Sequence, residues 1–346
     1  MTLEFRSSSI YSLTVALLGA LVSAASARAF DGESLLQPCV AESLTPSTDP
    51  LDANYHSPIY RGALVSDYEI APYKKRFTGY GIGNWANQEA QDATANRPGF
   101  EVGSWFGGFG TDWSLFQHGL WGYGVQGGRV KIDPRSGGKY ESRINSLSGN
   151  LHISIYDALW RFDVMFGMGK NWHKQHEFSW DDTNSFTTTQ WLVGTEFSAK
   201  FDKGYTRIEP LVNFRVLNLS EPKSAERYVA ATSREAREFN DASYRLKVGS
   251  RFSWEHSMAL GTLRPYLAAT WSHEFGKREI YTVGDATPFP IAFRYARHRM
   301  PRDRFDLGGG LGAALRDQLD VYLQYDVAFA KEYVDYAFLA GFNKKF

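Results

Sequence analysis

Apolar and polar residues alternate with a period of two through most of the chain from Arg76 onward. In residues 244–256 the apolar residues share one parity and the charged residues the other: Tyr244, Leu246, Val248, Phe252 and Trp254 against Arg245, Lys247, Arg251 and Glu255. The segments 159–169, 206–217, 263–275, 319–329 and 334–346 alternate in the same way. Because successive side chains of a strand point to opposite faces, this pattern predicts strands with one apolar and one polar face.

The spacing of these segments predicts about twelve strands. They start near Arg76, Gly99, Gln117, Tyr140, Ala158, Thr187, Gly204, Asp241, Thr262, Arg302, Gln318 and Val334. Tight turns (157–159, 202–205, 317–319, 333–334) alternate with long polar connections (89–98, 133–140, 177–187, 221–241, 283–303). Strands of about ten residues or more, with aromatic residues near the ends of the apolar face, distinguish this pattern from a soluble β-sandwich. We therefore predict an all-β fold, a twelve-stranded antiparallel transmembrane barrel of a bacterial outer membrane.

The start of the chain predicts export. Arg6 precedes an apolar run, Leu13 to Val22, and Ala27-Arg28-Ala29 offers a cleavage site before Phe30. The run is only about ten residues long, so we interpret residues 1–29 as a signal peptide and not as a membrane span. Residues 30–75 contain five prolines and no alternation, which indicates a short periplasmic or plug-like segment before the barrel at residues 76–346.

Composition narrows the class further. Lys plus Arg and Asp plus Glu number 38 each, so the zero net charge gives no reason to expect a nucleic-acid partner. Aromatic residues make up 15% of the chain. No other apolar run approaches the roughly 20 residues of a transmembrane helix, so insertion would be by strands, with membrane lipid as the partner.

The polar faces of the predicted strands carry charges that would line the lumen. They are Arg161, Asp163, Arg207, Glu209, Arg215, Arg245, Lys247, Arg251, Glu255, Arg264, Glu274, Arg304, Asp306, Asp320 and Asp326. Two interpretations are open. The charges could form an electrostatic filter or a passage for an unfolded peptide, or they could be cross-strand ion pairs that satisfy a wet interior.

Enzymatic candidates are weak. His173 and His176 lie near Asp181 and Asp182, but a three-residue spacing is not specific for a metal site. The spacing of Ser253, His256, Ser272 and His273 singles out no catalytic cluster. Gly308, Gly309 and Gly310 are not a phosphate loop, because no helix follows them; glycine there lets a strand bend or a neighbouring side chain pack closely. We predict no catalytic residue, no metal and no cofactor.

The second half of the chain resembles the C-terminal β domain of autotransporters, the type V secretion family. The resemblance covers about 76–346 and is densest from Tyr205. The matching segments are YTRIEPLVNFRVLNLSE (205–221), YRLKVGSRF (244–252), LRPYLAATWSHEF (263–275), RFDLGGGLGAAL (304–315), LDVYLQYDVAFAKEY (319–333) and YAFLAGFNKKF (336–346). The resemblance implies a monomeric twelve-stranded translocator barrel.

It also implies that the terminal aromatic residue, Phe346, is the signal recognised by the barrel-assembly machinery, after escort by periplasmic chaperones. Two departures stand out. Residues 30–75 are too few for the β-helical passenger usual in the family, and Lys344 replaces an apolar residue in the closing strand. The expected function is transport or secretion, or a barrel without a passenger. The alternatives are a porin-like pore and a barrel enzyme.

Overall fold

The computed structural model describes eleven stretches of the chain and shows them to be almost entirely β-strand. The described residues are 75–88, 100–115, 118–134, 140–177, 182–221, 239–275, 279–286, 291–299, 302–315, 318–331 and 333–346. They belong to the second of two compact units, Leu35–Phe346; the first, Met1–Ser34, lies outside the described residues. The predicted signal peptide, its cleavage site at Ala29 and Phe30, and residues 30–74 also lie outside them.

Sixteen strands occur in the described part of the chain. They are β1 (Lys75–Gln88), β2 (Phe100–Ser114), β3 (Gly119–Pro134), β4 (Tyr140–Tyr156), β5 (Trp160–Glu177), β6 (Asp182–Ala199), β7 (Phe201–Lys203), β8 (Thr206–Glu221), β9 (Phe239–Trp254), β10 (His256–Met258), β11 (Gly261–Glu274), β12 (Glu279–Ala286), β13 (Ile291–Arg299), β14 (Asp303–Leu315), β15 (Leu319–Ala330) and β16 (Tyr333–Lys345). Within the same residues, no α-helix is both long enough and apolar enough to cross a bilayer.

Twelve of these strands form a closed antiparallel barrel, which confirms the predicted fold. In order around the barrel they are β1 to β6, β8, β9, β11, β14, β15 and β16. β16 returns to pair with β1, in a register that runs from Arg76 opposite Lys345 to Gln88 opposite Tyr333. The three-residue strands β7 and β10 pair with β8 and β11 beside their turns. Closure leaves none of the twelve long strands with an unpaired edge.

The two ends of the barrel differ in their connections. Tight turns join β2 to β3, β4 to β5 and β14 to β15 at the end that also holds Lys75 and Phe346. Most of the longer connections lie at the opposite end. Short turns are typical of the periplasmic side of an outer-membrane barrel and long loops of the extracellular side. We call the first end the lower end and the second the upper end.

Three details at the upper end differ from the sequence expectations. The predicted long connection at 177–187 is short, because β5 runs to Glu177 and β6 begins at Asp182. The tight connection between β15 and β16 lies at the upper end, among the long loops. The predicted loop at 283–303 contains most of the hairpin of β12 and β13, which is a separate two-stranded sheet.

The two faces of the barrel wall are chemically distinct. Large apolar side chains are exposed on the outside, among them Trp85, Trp105, Phe109, Leu151, Phe166, Leu267, Leu323, Tyr325 and Phe338. Polar residues alternate with them and are buried on the enclosed face. Exposed leucine and aromatic side chains around a whole sheet would be unfavourable in water, but they are favourable against lipid chains.

Glycines allow tyrosine rings to pack closely against the enclosed face of the wall. A Cβ atom on Gly341 would collide with the Tyr322 hydroxyl, and one on Gly310 would collide with the Tyr266 ring. The Tyr322 hydroxyl donates a hydrogen bond to the backbone oxygen of Gly79, 3.3 Å away. Gly310 belongs to the three-glycine run on β14, and of the two alternatives that the sequence leaves open, a bend or close packing, Gly310 shows close packing. A side chain at either glycine would displace a buried ring.

Two alanines of β16 offer a matched test of which face meets lipid. Ala340 lies on the outward face opposite Leu323, and Ala337 lies on the enclosed face opposite Asp326. We expect Ala340→Arg to lower the free energy of unfolding by about 2–4 kcal/mol, because arginine is costly near the bilayer midplane. Ala337→Arg should cost far less, since the new cation meets a carboxylate. Urea titration of the barrel in lipid vesicles measures both values, and equal losses would contradict the assignment of faces.

Candidate functional site

The enclosed face of the barrel divides into two sectors. One, which we call the apolar sector, lies on β16 and β1 to β4 with one residue from β15, and consists of Ile82, Ala86, Val102, Phe106, Val130, Ile132, Ile144, Tyr322, Tyr333 and Leu339. The other sector runs from β5 round to β15 and carries most of the charges. Val130 has no exposed surface and Ile132 only 1%. The enclosed face is therefore apolar on one side of the barrel and charged on the other.

A buried ion pair lies near the lower end, where β1 meets β2. Arg76 donates to Asp112 from Nε, 2.9 Å from Oδ2, and from Nη2, 2.7 Å from the same oxygen. Both side chains are about 1% exposed. The Nε2 atom of His152, on β4, lies 3.9 Å from the Asp112 carboxylate of β2. Two charges so deeply enclosed stabilise each other, because burial removes both from bulk solvent.

A second buried cluster links β4 and β5. Arg161 Nε donates to Asp163 Oδ1 at 2.8 Å, and Ser154 also donates to Asp163. Arg161 Nη2 lies 3.2 Å from the Ser154 hydroxyl. On the neighbouring strands, Asn213 donates to Glu196 at 3.0 Å. These bonds satisfy polar groups that the wall removes from water.

A chain of charges continues around the lower rim from β6 to β11. Glu255 forms ion pairs with Arg264, at 2.7 Å, and with Arg207, at 3.8 Å. Arg207 also contacts Asp202 at 3.0 Å. Lys200 also contacts Asp202, at 2.9 Å. Partial burial opposes ionisation of Asp202, which lies in the short strand β7 beside the turn to β8, outside the membrane-spanning segments. The hydrogen bonds from Lys200 and Arg207 outweigh that effect and hold the pKa of this carboxyl below its ordinary value.

The upper half of the charged sector has its own network. Asp306 contacts Arg304 at 2.7 Å and Lys247 at 3.1 Å, so one carboxylate of β14 joins two cations. Arg245 contacts Glu274 at 3.3 Å. The Glu274 carboxylate also accepts the Tyr244 backbone N–H at 2.8 Å. Cations and carboxylates thus alternate across β9, β11 and β14.

The remaining predicted lumen charges are also placed on the enclosed face. Arg251 contacts Glu209 at 3.4 Å, Asp320 contacts Lys345 at 3.0 Å, and Asp326 accepts from Gln324. Arg215 is buried on β8. The fifteen residues are therefore not one cluster but a series of small groups around the wall. The predicted set of lumen charges does not include Arg76, Asp112, Asp335 and Lys345; each shares its parity with buried residues of its strand, which is the signal that the sequence offers.

Among the described side chains, which do not include those of His176 and Asp182, the weak enzymatic candidates form no cluster. His173 Nε2 contacts the Thr188 hydroxyl at 2.8 Å, while Asp181 lies outside the described residues. In the described part of the chain, no group of three or more His, Cys, Asp or Glu side chains could hold a metal ion. His273 contacts Asp303 at 2.9 Å, but Ser272 points to the opposite face of β11 and is buried.

The family model described as "Autotransporter beta-domain" matches residues 77–326 of the chain. The chain belongs to the autotransporter β-domain family. It is an outer-membrane β-barrel of the autotransporter type, embedded in the membrane as a monomeric barrel and located in the bacterial outer membrane. The match ends within β15, and β16 then completes the closed barrel.

Solved structures of autotransporter domains share this fold. The translocator domain of autotransporter NalP from Neisseria meningitidis has a TM-score of 0.63 and 12% identity, covering 85% of this chain and 96% of its own. The transport unit of AIDA-I from Escherichia coli has a TM-score of 0.62 and 11% identity, covering 85% and 97%. The β domain of Bordetella BrkA has a TM-score of 0.58 and 17% identity, covering 79% and 100%. No curated protein gives a significant match.

The Arg76–Asp112 pair supplies a stability prediction for the interior. We expect Asp112→Ala to lower the free energy of unfolding by about 3–5 kcal/mol, because it leaves a buried guanidinium without its carboxylate. Asp133→Ala, which removes an exposed partner of Lys131, should cost less than about 1 kcal/mol. Urea unfolding of the vesicle-inserted barrel, followed by tryptophan fluorescence, compares them. The Arg76→Met/Asp112→Leu double variant should recover part of the loss; if Asp112→Ala costs no more than Asp133→Ala, the pair is not structural.

Proposed function

We propose that the barrel acts in transport across the outer membrane and is not an enzyme. The observation that carries the proposal is the ion-paired wall of the enclosed face. Carboxylates and cations lie against each other in a series of small groups along the charged sector, as with Asp306 between Arg304 and Lys247. Such a wall presents a polar surface without a large field of one sign. It therefore suits passage of chains of varied sequence better than tight binding of one substrate.

The arrangement of the candidate catalytic residues favours transport over catalysis. A serine hydrolase needs its serine, histidine and carboxylate within hydrogen-bond reach of one another. Here the His273–Asp303 pair lies on the outward face, and Ser272 lies on the enclosed face of the same strand. Ser272 could reach the His273–Asp303 pair only if its side chain pointed to the other face of β11. The barrel-enzyme alternative therefore has no support from this cluster.

We also propose that residues 30–74 occupy the lumen and cover the apolar sector. A barrel of eight strands is already filled by its own side chains, so one of twelve strands has a wider interior. Apolar side chains such as Val130 and Ile132 would be unfavourable against water in that space, yet they are buried. The segment joins the barrel at Lys75, whose backbone pairs with Phe346 at the lower rim. A segment starting there can enter the lumen directly.

Single-channel conductance tests the lumen proposal. Removing residues 30–74 keeps Lys75 and the whole β1–β16 seam, so the barrel should still close. We expect its conductance in planar bilayers to rise several-fold, because the lumen loses its occupant. The full mature chain is the control. Equal conductance of the two proteins would contradict the plug and would favour a simple pore, provided that both remain heat-modifiable on unboiled SDS gels.

Assembly by a barrel-assembly machinery, with periplasmic chaperones, is a further part of the proposal. The Phe346 ring is 63% exposed, while its backbone N–H donates to the Lys75 oxygen at 2.8 Å. The ring is thus available to a partner even though the backbone is part of the seam. A variant that keeps the backbone and removes only the ring separates these roles.

We expect Phe346→Ala to lower the yield of heat-modifiable barrel in outer-membrane fractions several-fold, and Phe346→Tyr to preserve it. Both variants should refold equally well from urea into detergent, where no machinery is present. This comparison distinguishes recognition from stability. If the yield of Phe346→Ala in cells matches that of Phe346→Tyr, the terminal ring is not the recognition signal.

A further inference from the structure

Five exposed cations are concentrated on the outward face of three adjacent strands. Arg129 and Lys131 belong to β3, Arg143 to β4, and Lys170 and Lys174 to β5. Outward positions near the upper end of other described strands carry polar or aromatic residues instead, including Asn87, Asn218, Ser220, Tyr244, Trp271, Phe329 and Tyr336. Within the described strands the cations therefore form a local patch and not a ring; Lys331, also exposed at this end, lies beyond the end of β15.

The patch lies directly above the apolar band of the outer surface. On these strands the nearest outward apolar side chains below it are Val125, Leu147 and Met168, all exposed. The register runs upward from there to Arg129 opposite Asn145 and then to Lys131 opposite Arg143. Because the upper end is the extracellular end, the patch lies where the hydrocarbon of the outer leaflet gives way to lipid headgroups.

Three of the cations stand in one row across the sheet. Lys131 is directly opposite Arg143, and Arg143 is directly opposite Lys174. All three point outward, and neighbouring strands are only about 4.8 Å apart. Like charges directly opposite each other destabilise a sheet. This cationic row is therefore unfavourable for the barrel by itself.

Carboxylates compensate only part of the patch. Asp133 contacts Lys131 at 2.8 Å, and Glu141 contacts Arg143 at 2.9 Å; both acids lie one step farther from the membrane centre than the cations. Among the described residues, no carboxylate lies within ion-pair distance of Arg129, Lys170 or Lys174. Arg129 instead donates to Asn145 at 3.0 Å. Within the described part of the chain, three positive charges of the patch thus have no carboxylate beside them.

We propose that this patch binds the phosphate groups of the phosphorylated glycolipid that forms the outer leaflet of the bacterial outer membrane. Arginine can hold a phosphate through two parallel hydrogen bonds, and lysine adds a compact charge. Trp172, next to the row, is exposed on the same face with the Lys170 ammonium 5.7 Å from its ring centre. A tryptophan at the membrane interface suits contact with the acyl and sugar parts of the same lipid.

Native mass spectrometry of the detergent-solubilised barrel tests the proposal with bisphosphorylated lipid A as the probe. The patch variant is Lys131→Gln/Arg143→Gln/Lys174→Gln. Its matched control is Lys75→Gln/Lys203→Gln/Lys344→Gln, which removes three cations at the lower end. We expect the patch variant to bind lipid A about tenfold to a hundredfold more weakly than the natural protein, since each cation near an anionic lipid surface contributes measurably. The control should bind as the natural protein does.

Lipid A stripped of both phosphates provides a test that needs no variant. The natural protein should bind it no better than the patch variant binds the phosphorylated form. Binding that is unchanged by loss of the phosphates, or weakened equally by the two triple substitutions, would overturn the proposal. Heat-modifiability on unboiled gels verifies folding of each variant; the patch variant should fold at least as well as the natural protein, because its row of like charges is gone.

Discussion

The absence of hydrogen-bond partners in the hydrocarbon of a membrane is the constraint on which this structure depends. Every backbone N–H and C=O at membrane depth must find a partner in the protein, so a sheet can cross only if it closes on itself. The β1–β16 seam meets that requirement by pairing the two ends of the barrel domain, with Phe346 bonded to Lys75 at its lower end. The alternation of the wall, its enclosed face and its buried charges all follow from closure.

Closure also explains why so many charges are tolerated in the interior. The outward face has to be apolar, and the period of two then forces every second residue inward. These inward positions cannot all be apolar, because a wall that is apolar on both faces would resemble an aggregation-prone segment before insertion. Pairing satisfies the enclosed charges, across two strands for Arg76 with Asp112 and along one strand for Arg161 with Asp163. The ion pairs are therefore a consequence of how a barrel is built, and the polar passage that we propose makes use of them.

The strand pattern of the barrel could be predicted from the sequence because the pattern is local. Eleven of the twelve predicted strand starts fall within two residues of the observed ones, and Thr187 is five residues late. That strand begins earlier, at Asp182, in a run of polar Thr, Asn and Ser residues without alternation. The β12–β13 hairpin was missed because it lies outside the barrel wall, so no lipid face imposes alternation on residues 279–299. A search for amphipathic strands does not detect the pairing of β12 with β13.

The partners of the buried charges required the register. Arg161 and Asp163 are two residues apart on one strand and could be paired from the sequence, whereas Arg76 and Asp112 are separated by 36 positions. The inward face of β1 is also hard to identify from the sequence, because its outward positions 79, 81 and 83 are glycine while Tyr80 and Ile82 point inward. An apolar parity read from residues alone would invert this strand. Only the ladder with β2 and β16 fixes which face is enclosed.

The zero net charge of the chain conceals two different arrangements of charge. On the enclosed face both signs occur together, and most of the charges lie in pairs or small networks within a wall that removes them from water. On the outward face of β3 to β5 positive charge predominates. The nearest described carboxylates, Asp133 and Glu141, offset only two of the five cations. A buried charge without a partner is strongly destabilising, whereas an exposed charge can be neutralised by the surrounding solvent or lipid. Unmatched cations are therefore tolerated where an external anion can reach them, and the lipid headgroup layer in which we propose this row to lie supplies such anions.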